Sequence, residues 1–300
     1  MNEDALVRAI LERIARPTAS GVRVGPGDDA AVVSVGDGAD LVATTDALVE
    51  GVHFLPDARA EDVGWKLVES NLSDLAAMGA TPRWLLVAVV VADGRGETAL
   101  AVVDAAAARC DARGVAVVGG NVSSGPGLSF TTTALGEIRG APLLRSGAKA
   151  GDAIWLTGPT GLAAIDRSHR AVARIEEGRR ASGFAHAAID VSDGLALDLS
   201  RLCRASGVGA TLRLGDVPRA REVAAAARAR GLDPDETIAA GGEDYELLIA
   251  APADARPEGL TRVGEIVEAP ALDIRRLDGT PYDGPHGWIH GDTLPPRKSS

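Results

Sequence analysis

Five short turns of the chain carry acidic side chains beside glycine, serine or threonine. They are Gly25-Pro26-Gly27-Asp28-Asp29, Thr44-Thr45-Asp46, Asn71-Leu72-Ser73-Asp74, Asp190-Val191-Ser192-Asp193-Gly194 and Gly241-Gly242-Glu243-Asp244. A single aspartate in a glycine turn is usually a turn former that hydrogen-bonds its own backbone. Carboxylate oxygens also suit hard cations, and Mg²⁺ is typically held by one or two carboxylates together with substrate phosphates. Five such turns in one chain therefore predict a site for magnesium and a polyphosphate.

The standard nucleotide and hydrolase motifs do not account for these turns. No GxxxxGK[ST] segment occurs, so the phosphate-binding loop with its lysine is absent. Residues 25–30 imitate GxGxxA but precede a predicted strand, whereas a dinucleotide turn follows one. Residues 157–161 (TGPTG) follow the predicted strand 153–157 and remain open as a weak dinucleotide turn. Neither GxSxG nor HExxH occurs, and the histidines form no ligand cluster beyond His286 and His290.

Charge and composition exclude further classes of protein. The chain has 300 residues with 31 Lys and Arg against 42 Asp and Glu, a net charge of −11 that disfavours a nucleic-acid partner. The apolar run 84–92 has nine residues, far fewer than the roughly 20 that span a bilayer. Cys110 and Cys203 lie far apart without metal-type spacing, as expected for reduced thiols. The N-terminus shows no secretory signal pattern. We therefore expect a cytoplasmic protein with no membrane span.

The elements that must position the acidic turns form two blocks of mixed helices and strands. The first is predicted to contain a helix over 2–16, a hairpin of strands 30–35 and 41–45, helices over 60–78 and 97–113, and strands over 84–91, 115–118 and 128–138. The second is predicted to contain strands over 153–157 and 245–251 and helices over 194–206 and 219–230. Because a polar stretch near 140–152 joins the blocks, we predict an α/β (α+β) chain with domains 1–139 and 140–300.

Eight segments of the chain, taken in order, resemble the thiamine-monophosphate kinase family. They are GPGDDAAVV (25–33), TTDALVEGVHF (44–54), NLSDLAAMGATP (71–82), GGN (119–121), TALGEI (133–138), LLRSGAKAGD (143–152), AIDVSDGL (188–195) and GGEDYELL (241–248). The superfamily also contains aminoimidazole ribonucleotide synthetase, selenophosphate synthetase and a hydrogenase maturation protein. NLSDLAAMGA and GGEDYEL are specific to the kinases within it.

The resemblance implies an aminoimidazole ribonucleotide synthetase-like fold, a homodimer formed through the N-terminal sheets, and a cleft for ATP and several Mg²⁺ ions beside the dimer contact. By position, the implied metal ligands are Asp29, Thr44, Thr45, Asp46, Asp74, Asn121, Asp190 and Asp193. The implied ATP contacts are Gly120, Asn121, Arg145 and Ser192. The implied contacts to thiamine monophosphate are His53, Glu243 and Trp288. Of these residues, Asp46 and Asp193 are expected to be catalytic.

The implied reaction is direct in-line transfer of the γ-phosphoryl group of ATP to thiamine monophosphate. Such transfer depends on positioning and on charge neutralisation, so carboxylate-held Mg²⁺ would replace the missing loop lysine. The acceptor is already an anionic phosphate monoester and needs little or no general base.

Two departures from the family pattern leave alternatives open. Asn121 stands where the family usually has aspartate, so Asn121→Asp is expected to lower the Mg²⁺ concentration needed for half-maximal rate. The stretch 158–190 is shortened, with Gly161-Leu162-Ala163-Ala164 as the remnant of a longer turn. A relative that binds nucleotide or thiamine phosphate without turnover is one alternative. Another superfamily enzyme is the second, although the chain lacks an early reactive cysteine and a cysteine tail and carries GGEDYEL.

Overall fold

The computed structural model describes residues 22–24, 27–36, 38–166 and 168–288. The predicted helix over 2–16 and the histidine at position 290 lie outside the described residues. No helix in the described ranges is long and apolar enough to cross a membrane.

The first half of the chain forms a six-stranded sheet with two long helices. Its strands are β1 (Val22–Val24), β2 (Ala31–Ser34), β3 (Asp40–Val49), β4 (Thr81–Val91), β5 (Ala116–Ser124) and β6 (Ser129–Ile138). The helices are α1 (Ala60–Ala77) and α2 (Gly96–Arg113). The strand order is β1-β2-β3-β6-β4-β5, antiparallel except for the parallel pair β4–β5. Leucine, valine and alanine side chains of the sheet and both helices form one shared core.

Buried and less buried residues alternate along the strands of this sheet, because the two helices cover only one of its faces. In β6 every second residue is buried and the others are half-buried, as expected for a strand with one face on the core. On the covered side, α1 lies so close to α2 that a Cβ at Gly64 would stand 2.6 Å from the Cβ of Ala105. Glycine at position 64 therefore sets the closeness of the two helices.

The second half forms another six-stranded sheet. Its strands are β7 (Ala153–Leu156), β8 (Ala187–Val191), β9 (Gly209–Arg213), β10 (Glu246–Ala251), β11 (Thr261–Val267) and β12 (Leu272–Arg275), in the order β12-β9-β11-β7-β10-β8. Its helices are α3 (Leu162–Ile165), α4 (Ile175–Ala181), α5 (Leu195–Ser206), α6 (Ala220–Ala229) and α7 (Pro234–Ala240). A 3₁₀ turn covers Leu214–Asp216.

Three strands of the second sheet are buried along their whole length because both of their faces are covered. β7, β8 and β10 have no exposed residue. One face packs against α5, α6 and α7. The other contacts the C-terminal end of α1, where Ala76 and Ala77 pack with Trp155, Leu247 and Ile249. Helix α1 therefore touches both sheets and positions the residues of its own last turns between them.

The predicted fold class, a two-domain mixed α/β (α+β) chain, is confirmed by two mixed sheets with helices. The predicted long helices agree with the observed ones within a residue or two, whereas β5 is longer than the predicted 115–118. The shortened stretch 158–190 contains α3 and α4, two short helices that the hydrophobic pattern does not predict. The division at residues 139/140 stays a prediction.

Candidate active site

A polar cleft of about 330 Å³ collects side chains from both halves of the chain. Its lining residues are Asp29, Thr44, Thr45, Asp46, Asp74, Arg145, Asp190, Ser192, Asp193 and Arg201. Four of the five acidic turns singled out in the sequence therefore contribute to one site. The polar linker between the sheets contributes Arg145.

Three carboxylates of this cleft lie close together. One oxygen from each of Asp29, Asp74 and Asp190 lies within 4.8 Å of the others. Thr44 Oγ1 donates to Asp74 Oδ2 (2.5 Å), and Ser73 Oγ donates to Asp190 Oδ2 (2.8 Å). Burial raises the pKa of all three carboxyl groups, and their neighbouring negative charges raise those of Asp74 and Asp190 further. The hydroxyl donors fix the directions in which these carboxylates point.

The donor set fits a hard divalent cation. It is built from oxygens alone, on three separate segments of the chain. Asp29 Oδ2 is buried and has no hydrogen-bond partner among the described residues, although its other oxygen is paired. A buried carboxylate oxygen without a donor is costly unless a cation satisfies it. Burial, mutual repulsion and the unpaired oxygen thus make this cluster one that could hold a divalent cation.

Arg145 ties the first acidic turn to the linker. Its Nε and Nη2 donate to Asp29 Oδ1 at 3.1 and 2.6 Å, and its backbone N–H reaches both carboxylate oxygens of Asp28 (3.2 and 3.1 Å). Ser206 Oγ in turn donates to the Arg145 carbonyl (3.0 Å). The guanidinium is therefore held beside the carboxylate cluster by contacts at both ends of the residue.

The turn after β8 is held by two residues that sequence reasoning missed, Asp198 and Arg201 of α5. Asp198 Oδ2 accepts hydrogen bonds from three successive backbone N–H groups, those of Ser192, Asp193 and Gly194, at 3.0–3.1 Å. Arg201 Nη1 donates to Asp193 Oδ2 (2.5 Å) and Asp198 Oδ1 (2.8 Å). The sequence signal that could have identified them is the i, i+3 spacing of Asp198 and Arg201 in the helix that follows the SDG segment. These contacts fix both the turn and the direction of the Asp193 carboxylate.

Two of the three positions expected to contact thiamine monophosphate, His53 and Glu243, meet at Lys66 of α1, another residue that sequence reasoning missed. Lys66 Nζ donates to the carbonyl of His53 (2.9 Å) and forms an ion pair with Glu243. His53 Nδ1 accepts from the N–H of Val49 (3.0 Å). The backbone N–H of Trp288 donates to the Asp193 carbonyl (2.8 Å), so Trp288 contacts the turn after β8. His53, Glu243 and Trp288 do not line the cleft, although Glu243 and Trp288 form backbone hydrogen bonds to its lining residues Ser192 and Asp193.

Gly120 and Asn121 do not line this cleft. They lie on β5, which is separated from β3 by β6 and β4. Across these strands, Asp46 of β3 is paired with Thr132 of β6, Thr132 with Val87 of β4, and Val87 with Gly120 of β5. At ~4.8 Å per strand, Gly120 is about 14 Å from Asp46. All of β5 is exposed. The expected ATP and metal contacts of these two residues stay predictions.

The other two acids of the GGEDYEL segment hold the second sheet together. Asp244 accepts hydrogen bonds from the backbone N–H groups of Gly161 (2.7 Å) and Leu162 (3.0 Å) at the start of α3. Glu246 accepts from Thr157 Oγ1 (2.5 Å) and forms an ion pair with Arg174. Both carboxylates are buried. They tie the end of β7, the start of α3 and Arg174 to β10 and to the loop directly before it.

Asp244→Ala is therefore expected to destabilise the protein. Removal of the carboxylate leaves two buried N–H groups without an acceptor, which costs about 3 kcal/mol in total. For a chain of this size the Tm should fall by about 6–10 °C, measured by differential scanning fluorimetry. Asp254→Ala, at an exposed position after the same strand, serves as the control. Equal Tm values for both variants would show that Asp244 does not anchor α3.

Comparison with known proteins identifies the family to which the chain belongs. The family description "AIR synthase related protein" matches with its N-terminal domain at residues 27–138 and its C-terminal domain at residues 164–274. A thiamine-monophosphate kinase from Rhodopirellula baltica is 37% identical over 91% of this chain and 92% of its own. One from Mycobacterium tuberculosis is 36% identical over 93% of this chain and 90% of its own.

A solved structure shows the same likeness in three dimensions. AaThiL complexed with AMPPCP and TMP aligns with a TM-score of 0.85 and 29% identity, covering 96% of this chain and 97% of that one. The sequence similarity extends over nine tenths of both chains, and the fold of the solved relative is the same. The chain belongs to the thiamine-monophosphate kinase family of AIR synthase related proteins.

Proposed function

We propose that the protein is a cytoplasmic, Mg²⁺-dependent kinase that transfers the γ-phosphoryl group of ATP to thiamine monophosphate, giving thiamine diphosphate and ADP. The observation that carries this proposal is the convergence of four acidic turns on one cleft in a chain of this family. Asp29, Asp74 and Asp190 would hold magnesium, with Asp46, Asp193, Thr44 and Thr45 completing the oxygen-rich wall. Bound Mg²⁺ supplies positive charge that offsets the repulsion between donor and acceptor phosphates.

The protein's own residues act by holding oxygens and cations in place. Thr44 and Ser73 orient two carboxylates, and Arg145 orients Asp29 while its guanidinium lines the cleft for a nucleotide phosphate. Asp198 and Arg201 hold Ser192 and Asp193 on the opposite wall. Preorganised groups of this kind lower the barrier because they need not reorient during the reaction.

No general base is required in this mechanism. The acceptor is a phosphate monoester whose second pKa is about 6, so its oxygen is ionised and nucleophilic near pH 7. The cleft's task is alignment of that oxygen with the γ-phosphorus. Asp46 and Asp193 line the space in which the two phosphates would meet, which is the basis for proposing them as catalytic.

A homodimer formed through the first sheet is part of the proposal. The face of this sheet that α1 and α2 leave uncovered carries Leu86, Ala88 and Val90 of β4, all half-buried, and the neighbouring β5 exposes Val118. A contiguous apolar face of this kind is typical of a protein–protein contact. Because Asn121 is in register with Ala88, it would lie at the same contact, where the expected effect of Asn121→Asp on the Mg²⁺ requirement can be tested.

Ala88→Arg tests the dimer. A buried, unpaired charge in the centre of the contact should convert a species of twice 30.6 kDa into the monomer at micromolar concentration, as measured by sedimentation. Leu100→Arg, on an exposed position of α2, introduces the same charge and should leave the mass unchanged. A dimeric Ala88→Arg protein would place the contact elsewhere.

The activity itself is tested by release of ADP from ATP and Mg²⁺ with and without thiamine monophosphate. We expect ADP and thiamine diphosphate in equal amounts, formed only when both substrates are present. A sample that is folded and is stabilised by ATP but forms neither product would contradict the kinase and support the relative that only binds these ligands.

A further inference from the structure

An ion pair between the two halves of the chain lies next to the cleft. Lys66 belongs to α1 of the first half, and Glu243 belongs to the loop before β10 of the second. The backbone N–H of Glu243 donates to the carbonyl of Ser192 (2.7 Å), a residue that lines the cleft. Burial raises the pKa of Asp46, and the positive charge of Lys66 is among the influences that oppose this rise. Lys66 and Glu243 are thus neighbours of the residues proposed to meet the phosphates.

Lys66 differs from the other two cations near the cleft in the strength of its pairing. Arg145 is bound to the fully buried side chain of Asp29, and Arg201 is bound to both Asp193 and Asp198. Lys66 pairs with Glu243, whose side chain is 49% exposed. Exposed ion pairs contribute little stability, and the flexible lysine stem can redirect its ammonium group. Among these three cations, Lys66 can therefore exchange its partner at the lowest cost.

The backbone of the loop at Glu243 is held in place by hydrogen bonds. A change of partner by Lys66 would therefore require only side chains to move. Glu243 has φ +67° and Tyr245 has φ +52°, the left-handed region that non-glycine residues seldom adopt. Both residues are held there by backbone hydrogen bonds to the end of β8, through Ser192 (2.7 Å) and Val191 (2.9 Å). Residues kept in such conformations by their surroundings are often functional. The Glu243 carboxylate is thereby presented to Lys66 from a fixed backbone.

The proposed acceptor carries the two charges that this pair would need. Thiamine monophosphate carries a cationic thiazolium ring and an anionic phosphate group. We propose that the acceptor opens the Lys66–Glu243 pair, with Glu243 turning to the thiazolium cation and Lys66 to the phosphate, so that Lys66 selects the phosphorylated acceptor. This inference rests on the proposed function. It adds, beside the acidic cleft, a cation for the acceptor phosphate, in addition to magnesium and to Arg145 in the lining.

Equilibrium binding of thiamine monophosphate and of unphosphorylated thiamine to Lys66→Met tests the inference. The experiment uses the full chain, without nucleotide, in a calorimeter. We expect the affinity for thiamine monophosphate to fall about 10- to 100-fold, the range typical of a charge-assisted hydrogen bond, with thiamine affinity changed less than about threefold. Lys66→Arg, which keeps the charge, should recover most of the preference for the phosphorylated ligand.

Glu243→Gln is the complementary variant. It removes the carboxylate that faces the thiazolium and leaves the cation at position 66, so both ligands should bind more weakly by a similar factor. Two results for Lys66→Met would overturn the inference. The first is an equal weakening of the binding of both ligands, and the second is no change in the binding of either ligand. The first result would assign Lys66 to support of the loop at His53.

Failure of this inference is distinguishable from failure of the proposed function. Turnover of thiamine monophosphate by the wild-type protein is measured first, and its absence contradicts the kinase whatever the binding ratio. With turnover established, Lys66→Met should raise KM for thiamine monophosphate and leave KM for ATP unchanged. An equal rise in both KM values would contradict the role of Lys66 as a phosphate-binding residue.

Discussion

Asp46→Asn is expected to lower kcat by about 10³-fold or more and to leave the fold intact. Asp46 lies in the middle of β3, opposite Thr132 of β6, and its side chain is half-buried in the cleft. Loss of one preorganised charged group at a reacting centre typically costs 10²–10³-fold, and loss of a metal-binding charge adds to this. Burial and the charge of Asp193 both raise the pKa of Asp46, so the neutral amide relieves repulsion and should not unfold the sheet.

Two measurements on the same variant test this prediction. ADP release with saturating ATP and thiamine monophosphate reports kcat, and circular dichroism with a thermal scan reports the fold. Asp93→Asn, at an exposed turn after β4, removes the same charge outside the cleft and should keep full activity. An Asp46→Asn enzyme that retains Mg²⁺-dependent turnover would contradict the role proposed for Asp46.

Asp74→Asn is expected to stabilise the metal-free protein while it abolishes the response to magnesium. Asp74 shares its surroundings with Asp29 and Asp190, and burial together with the charges of Asp190, Asp46 and Asp29 raises its pKa well above the ordinary value. Two like charges at this separation repel by a few kcal/mol at an effective dielectric constant of ~20, so removal of one of them is expected to stabilise the metal-free protein by about 1–2 kcal/mol. The Tm without Mg²⁺ should rise by about 2–6 °C.

The magnesium response provides the second half of this prediction. A ligand that binds the folded state raises Tm in proportion to RT ln(1 + [L]/Kd), so millimolar Mg²⁺ should stabilise the wild type and have little effect on Asp74→Asn. Turnover should fall by at least about 10²-fold. Asp111→Asn, on the exposed side of α2, controls for net charge. A lower metal-free Tm in Asp74→Asn, or an undiminished response to Mg²⁺, would contradict the carboxylate cluster as a metal site.

The amino-acid sequence alone determined the elements and the chemical class of the site. Apolar periodicity is a local property, so α1, α2, α5 and α6 could be placed within a residue or two. Acidic residues in glycine, serine and threonine turns are likewise visible as short segments. These segments therefore predict five site carboxylates, and all five line one cleft: Asp29, Asp46, Asp74, Asp190 and Asp193.

Contacts between distant segments of the chain determine which side chains hold these carboxylates and which lie elsewhere. Lys66 is 177 positions from Glu243, and Asp244 is 83 positions from Gly161, so no local pattern reports either contact. The same applies to Asn121, which belongs to the recognisable GGN segment of the sequence but lies three strands from Asp46. Hydrophobic periodicity reports the burial of each element, whereas strand order and helix packing determine which polar groups from distant segments meet.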